Sequence, residues 1–291
     1  MPALPYVANA VLSGVLTGTV YGLMALGLSA IFGVIRLVNF AHGELMTLAM
    51  YAAVLAFQGL ALDPFVTMVL AGVVFGALGY ALQRGFLQRF AGRPEHLQML
   101  LMIALAIIIG NALLLGFGPD ARSVQTSYQL DSFELGPLLI DKVRVYAALA
   151  AVVATALLAV FFRLTLTGKA IRACADNPVG ARVAGLPVAH LYAVTFALGT
   201  GSVAVAGCAM AQLVDVTPGL GPAYTLLAFV IVIVGGLGSM VGALLGGVVI
   251  GVSEAAAGLL IAPSAKSMVS FGLLVVLLLV RPQGLIGAGR R

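Results

Sequence analysis

A chain of 291 residues that is 62% hydrophobic and only 9% charged, with a mean hydropathy of +1.15, has too few charges to coat a water-soluble fold. Lipid removes that constraint, because an apolar exterior is then the solvated one, and the chain reads as an integral membrane protein. The net charge of +5 sits in a few short loops with no stripe of interleaved aromatics, which excludes a nucleic-acid surface and leaves membrane orientation as its role.

The opening Met1-Pro2-Ala3-Leu4-Pro5-Tyr6 has no basic residue, so the first apolar stretch is expected to remain as a span. The long apolar runs lack the dyad alternation of a barrel, so the spans are helices. They are expected near 9–34, 38–58, 65–83, 98–117, 145–162, 191–214, 224–240, 242–262 and 268–280. The seventh is short, and the seventh and eighth also read as one interrupted element, so an all-α bundle of eight or nine spans is expected. Cys174 lies in a basic loop and Cys208 in an apolar run, which argues against a disulfide between them and makes no metal site.

Charges orient the bundle. Arg84, Arg89 and Arg93 outweigh Glu95 in the 84–97 loop, and Arg163, Lys169, Arg172 and Arg182 outweigh Asp176 in the 163–190 loop. The tail adds Arg281, Arg290 and Arg291. The positive-inside rule makes these segments cytoplasmic. The 118–144 loop balances Asp120, Asp131, Glu134 and Asp141 against Arg122, Lys142 and Arg144, holds Ser123, Gln125, Thr126 and Ser127, and reads as a periplasmic loop. An N-terminus outside and a C-terminus inside require an odd number of crossings; eight would need one re-entrant segment.

Glycines repeat every four residues at Gly14, Gly18 and Gly22, at Gly72 and Gly76, and at Gly238, Gly242 and Gly246, with Gly247 and Gly251 on the adjacent face. Small residues at this spacing let helix backbones approach closely in lipid. Two segments read as interrupted, near 38–44 and 235–240. Val38-Asn39-Phe40-Ala41-His42-Gly43-Glu44 places polar groups inside an apolar run, and Gly235-Gly236-Leu237-Gly238-Ser239 breaks another. Broken segments in the two halves of a transporter point to a central pathway, because non-helical backbone at membrane depth must be buried or line a cavity. Asn39, His42, Gly43, Glu44, Gly235, Gly236, Gly238 and Ser239 are therefore the candidate pathway residues. His42 and Glu44 also fit a cytoplasmic interface solvated by headgroups. Glu254, about halfway along its span, fits either a function or a buried structural hydrogen bond.

The 163–190 loop is the sharpest feature outside the membrane. Gly168 to Asp176 has helical spacing that puts Lys169 and Arg172 three residues apart. Asn177-Pro178 pairs a good N-cap with a good first helical residue, and Gly185 suits a C-cap. A short helical hairpin is expected there, able to dock into a groove of a soluble partner or to lie on headgroups.

These residues resemble a known family. Tyr21-Gly22-Leu23-Met24-Ala25-Leu26-Gly27-Leu28 with Asn39-Phe40-Ala41-His42-Gly43-Glu44 is similar to the N-terminal signature of LivH-type permeases, membrane subunits of ABC importers for branched-chain amino acids. Gly168-Lys169-Ala170-Ile171-Arg172-Ala173, Asn177-Pro178 and Ala181-Arg182-Val183-Ala184-Gly185 are similar to that family's ATPase-coupling loop. Gly235-Gly236-Leu237-Gly238-Ser239 and Arg281-Pro282-Gln283-Gly284-Leu285 are similar to its later motifs. The resemblance covers nearly the whole chain, in order.

The resemblance implies a single permease domain over 1–291 in a bacterial inner membrane, with 163–190 as the coupling loop. It implies coupling through Gly168, Lys169, Arg172, Asn177, Pro178, Arg182 and Gly185. It also implies a second permease subunit, homologous or identical, two ATPase subunits carrying ATP and Mg, and a periplasmic solute-binding protein. The chain has no Gly-x4-Gly-Lys-[Ser/Thr] phosphate loop, no plausible nucleophile–base pair and no metal cluster, so neither a cofactor nor catalysis is expected of it alone. A stand-alone secondary transporter or channel is the alternative function; urea, amides and aromatic acids are alternative substrates.

Overall fold

The computed structural model describes residues 4–90, 93–126, 128–129, 131–136 and 138–286. Met1 to Ala3, Ser127, Arg290 and Arg291 therefore lie outside the described residues.

The apolar runs fold as α1 (Leu4–Ile35), α2 (His42–Leu60), α3 (Pro64–Gly85), α4 (Glu95–Phe117), α5 (Lys142–Leu164), α8 (Val188–Met210), α9 (Leu220–Gly235), α10 (Met240–Leu260) and α11 (Lys266–Val280). Between α5 and α8 lie two short polar helices, α6 (Leu166–Asp176) and α7 (Pro178–Val183). Eight of the apolar helices are long enough to cross a bilayer, counting with α11 the turn that leads into it, and α9 has 16 residues. This is a polytopic helical membrane bundle. The nine apolar helices among the described residues match the nine expected spans within a few residues, and α9 and α10 are separate helices. A β1–β2 hairpin (Ser132–Leu135 with Leu138–Asp141) lies in the connection between α4 and α5.

The bundle has two ends. The α6–α7 hairpin marks one; the 118–141 loop, which holds β1–β2, marks the other. The loop end is anchored by aromatic contacts of Phe65 and Tyr146 with Tyr128, and by the Tyr128 hydroxyl donating to Asp63 at 2.7 Å. Burial and the Asp63 carboxylate hold the Tyr128 phenol well above its usual range. Asp63 also caps α3, accepting from the Phe65 amide at 2.8 Å ahead of Pro64 at the first helical position.

The glycine faces sort into three seams. Gly14, Gly18 and Gly22 lie against Gly247, Gly251 and Leu244, so α1 and α10 pack antiparallel with backbones in contact. Gly72 and Gly76 face α8 at Val205 and Ala197. Gly242 and Gly246 face Gly235 and Ile231, so α9 and α10 form a tight antiparallel pair. Gly238 belongs to the turn between them, at φ +79°. In lipid no hydrophobic effect draws helices together, and close van der Waals contact between small residues takes its place.

A Cβ at Gly18 would sit 2.7 Å from the Gly247 carbonyl oxygen and 2.7 Å from the Val248 Cα, whereas Gly59 has open space. Gly18→Leu is expected to destabilise the fold by about 1–3 kcal/mol, and Gly59→Ala to leave it unchanged. Thermal midpoints of the detergent-solubilised protein measure the difference.

Candidate functional site

The first site residues follow from where α2 begins. The His42 imidazole Nε2–H donates to the Met24 carbonyl at 2.9 Å. Met24 lies in the interior of α1, about 16 Å above its end at Ile35 at 1.5 Å per residue. The chain therefore leaves α1 at Arg36 in a left-handed turn, φ +58°, climbs back along α1 as the non-helical segment 36–41, and starts α2 well inside the bundle. The expected break near 38–44 falls on 36–41, with His42, Gly43 and Glu44 in the first helical turn.

The start of α9 meets this point from the other half of the chain. After α8, residues 211–219 turn inward; Val216 is buried and pairs by two backbone hydrogen bonds with Arg122, at 2.9 and 2.7 Å. The chain enters α9 at Leu220, and its first turns abut α2. A Cβ on Gly43 would overlap the Gly221 carbonyl, so only glycine fits there. Thr225 stitches the two starts together. Its hydroxyl accepts from the Gly43 amide at 2.9 Å and shares its one proton between Glu44 Oε2 at 3.2 Å and the Phe40 carbonyl at 3.3 Å. Asn39 Oδ1 accepts from the Ala41 amide at 3.1 Å. Asn39, His42 and Glu44 are all buried.

An open cavity of about 810 Å³ adjoins this junction, walled by α4 (Ile103, Ile107, Asn111, Leu114), by Phe40 and Glu44, and by Thr217, Pro218, Thr225 and Leu226. That volume lies in the range of small-molecule sites. The wall is apolar with a few convergent polar groups, the composition that such sites share.

The second candidate cluster lies elsewhere. Gly235, Gly236, Gly238 and Ser239 form the α9–α10 turn at the hairpin end, with Gly238 against Gly33 near the end of α1. Leu285 and Ile286 donate backbone hydrogen bonds to Val234 and Gly235, at 2.8 and 3.0 Å, and cover the turn. Ser239 caps α10 by accepting from the Gly242 amide at 3.0 Å. The structure thus does not join 235–239 to 39–44, and what faces Glu44 from the second half is Thr217 to Thr225. The two clusters separate because the double glycine serves a tight helix–helix turn. The missed signal is Thr217-Pro218-Gly219-Leu220-Gly221-Pro222, a proline–glycine run directly ahead of an apolar helix. Glu254 also has a structural partner, accepting from the Ser270 hydroxyl at 2.9 Å.

The 163–190 segment forms the expected hairpin. Thr165 caps α6, accepting from the Gly168 amide at 2.9 Å. Asn177 ends α6 and caps α7, accepting from the Val179 and Gly180 amides at 3.1 and 2.9 Å, with Pro178 in the first helical position. Gly185 then turns the chain at φ +81°, a conformation that L-residues resist. Ile171, Cys174 and Ala181 are buried under the hairpin together with Phe162 and Leu191. Lys169, Arg172 and Arg182 stay exposed, as do the apolar Val179 and Val183. Lys169, Arg172 and Asp176 border a cleft of about 1000 Å³ with Arg36, Leu237 and Gly238, so the glycine turn faces the hairpin.

Two outcomes follow. Thr225→Val removes the hydroxyl that joins both helix starts and is expected to cost about 1–2 kcal/mol, read as a lowered thermal midpoint in detergent. Burial pushes the Cys174 thiol up and shields it, so a maleimide is expected to label it slowly at neutral pH. A Cβ on Gly168 would overlap the Phe161 carbonyl; Gly168→Val therefore lifts the hairpin and speeds that labelling, measured by mass spectrometry.

Residues 10–278 match the family model described as the permease component of branched-chain amino acid transport systems. The chain is 29% identical to the high-affinity branched-chain amino acid transport system permease protein BraD of Pseudomonas aeruginosa, over 99% of this chain and 98% of that protein. It is 31% identical to the corresponding permease protein LivH of Escherichia coli, over 97% of this chain and 96% of that one. A probable branched-chain amino acid transport permease protein LivH of Methanocaldococcus jannaschii is 23% identical over 91% of this chain and 88% of its own length. No solved structure matches the chain at a significant level. A helical membrane bundle in which two helices begin inside the bundle beside an apolar cavity, matched to these relatives from end to end, belongs to the branched-chain amino acid permease family.

Proposed function

We propose that this chain is the membrane permease of an ATP-driven importer and forms half of a translocation pathway for branched-chain amino acids in a bacterial inner membrane. The observation that carries this reading is the convergence of α2 and α9 inside the bundle beside an open, largely apolar cavity. Glu44 and the irregular segments 36–41 and 211–219 cannot face hydrocarbon, since neither a carboxylate nor unpaired backbone is tolerated there. A second permease, homologous or identical, covers that side and closes the pathway.

The hairpin end is the cytoplasmic one. It carries Arg36, Arg84, Arg89, Arg163, Lys169, Arg172, Arg182 and Arg281 against Glu95 and Asp176, whereas the other end balances Asp63, Asp120, Asp131, Glu134, Asp141 and Asp215 with Arg122, Lys142, Arg144 and Lys266. The N-terminus is then periplasmic and the C-terminus cytoplasmic. Exposed Val179 and Val183 offer apolar knobs on a hairpin that also exposes Lys169, Arg172 and Arg182, a surface suited to the groove of an ATPase subunit. Two such subunits hold ATP and Mg, a periplasmic binding protein delivers solute to the loop end, and this chain performs no chemistry.

Motion follows from the connections. The hairpin packs on α5 and α8 and borders the glycine turn of α9–α10, so a pull on it reaches the helix whose other end forms the pathway wall. Alternating closure of the ATPases would open that wall to one side at a time. A carrier working alone would keep transporting without ATP; abolition of uptake by ATP depletion at clamped membrane potential counts against it.

Arg172→Glu and Gly185→Val, each reconstituted with the ATPases and binding protein, are expected to lower leucine uptake by about tenfold or more and to blunt binding-protein-stimulated ATP hydrolysis. Survival of both activities through bulky changes across the hairpin would overturn the coupling assignment.

A further inference from the structure

Among the described residues, Glu44 is the one charged residue on the wall of the 810 Å³ cavity; every other lining residue is neutral, and most are apolar. Among the described residues, Thr225 is the one side chain hydrogen-bonded to its carboxylate, through a hydroxyl whose proton is shared with the Phe40 carbonyl. Among the described residues, no lysine or arginine lines the cavity to pair with it. The first turns of α2 and α9, which carry the partial positive charge of helix starts, converge on the same carboxylate. Intramembrane acids elsewhere pair with a partner or mark a path for a charged solute. A negative group without a protein cation, set in an apolar wall, is complementary to a solute that joins an ammonium to a hydrocarbon body.

Resting on the permease reading above, we infer that Glu44 is a specificity-determining residue that receives the α-ammonium of the passing amino acid, while Phe40, Ile107, Leu114 and Leu226 accommodate its side chain. This assigns the pathway to ammonium-bearing solutes and sets it against organic acids that lack an amine, which the carboxylate repels, and against urea and small amides, which leave it unpaired. The interaction is electrostatic and transient: Glu44 holds the ammonium only while the cavity is occupied, and the weak Thr225 contact retains the side chain between cycles.

The test uses the complete complex in proteoliposomes, with L-leucine as the transported probe. Glu44→Gln keeps the side-chain volume and can still accept from Thr225, but removes the charge; Glu44→Asp keeps the charge. Glu44→Gln is expected to reduce leucine uptake by about tenfold or more, and Glu44→Asp to restore a substantial part of it. Uptake by Glu44→Gln equal to that of the unmodified complex would show Glu44 to be a structural tether and would overturn the assignment. If Glu44→Gln does not assemble, a hydrophobic carbodiimide reacting with Glu44 in the unmodified complex gives the answer. L-leucine is expected to protect Glu44, and 4-methylpentanoate, the same skeleton without the amine, is not; equal protection by both, or by neither, overturns the assignment. An unmodified complex that imports no leucine, isoleucine or valine is a different result: it removes the permease reading itself, and the role of Glu44 with it.

Discussion

A helix that begins inside a membrane must satisfy its first N–H groups without water. The architecture is organised around that constraint. α2 starts well above the end of α1, and its first amides are met by protein. Asn39 supplies a side-chain acceptor for Ala41 and a backbone acceptor for His42, and Thr225 supplies a hydroxyl for Gly43. His42 secures the junction to α1 by donating to Met24. Because Thr225 belongs to α9, the start of one interrupted helix is completed by a residue from the other, and the two halves of the chain cannot be placed independently.

The glycine seams serve the same arrangement. The climb of 36–41 beside α1 and the inward turn of 211–219 take room inside the bundle, and that room exists because other helices pack at backbone contact. α1 meets α10 over Gly14, Gly18, Gly247 and Gly251; α9 meets α10 over Gly235, Gly242 and Gly246. Lipid-facing helices have no such need: α4, α5 and α11 expose Ile108, Leu115, Leu157 and Leu279. The chain thus spends its small residues where backbones touch and its large aliphatic residues where it meets hydrocarbon.

Much of this was legible in the sequence because it depends on local rules. Spans follow from apolar length, and the hairpin from Asn177, Pro178 and Gly185, each of which acts within its own turn. The glycine faces follow from a period of four, although which helices they join does not. Of the two interrupted segments expected from the sequence, one borders the cavity and the other does not. Asn39, His42 and Glu44 stand out because polar groups are rare in an apolar run. Gly235 to Ser239 attracts the same reading, yet glycine marks a close approach as readily as a cavity, and here Gly236 lies under Ile286. The segment that does face Glu44, Thr217 to Thr225, carries no charge, and its depth is set by contacts with α2 and Arg122 that no local pattern encodes.

The seam between α1 and α10 has one more consequence. Helices with bulky side chains lock like gears, because ridges must leave their grooves before either helix can slide. Over Gly14, Gly18, Gly247 and Gly251 the backbones touch directly, but Leu244 and Ala255 seat their side chains against Gly22 and Gly14 at either end of the contact. The seam therefore has short ridges set in shallow glycine grooves, and it fixes the register of α10 on α1 as well as the distance between them.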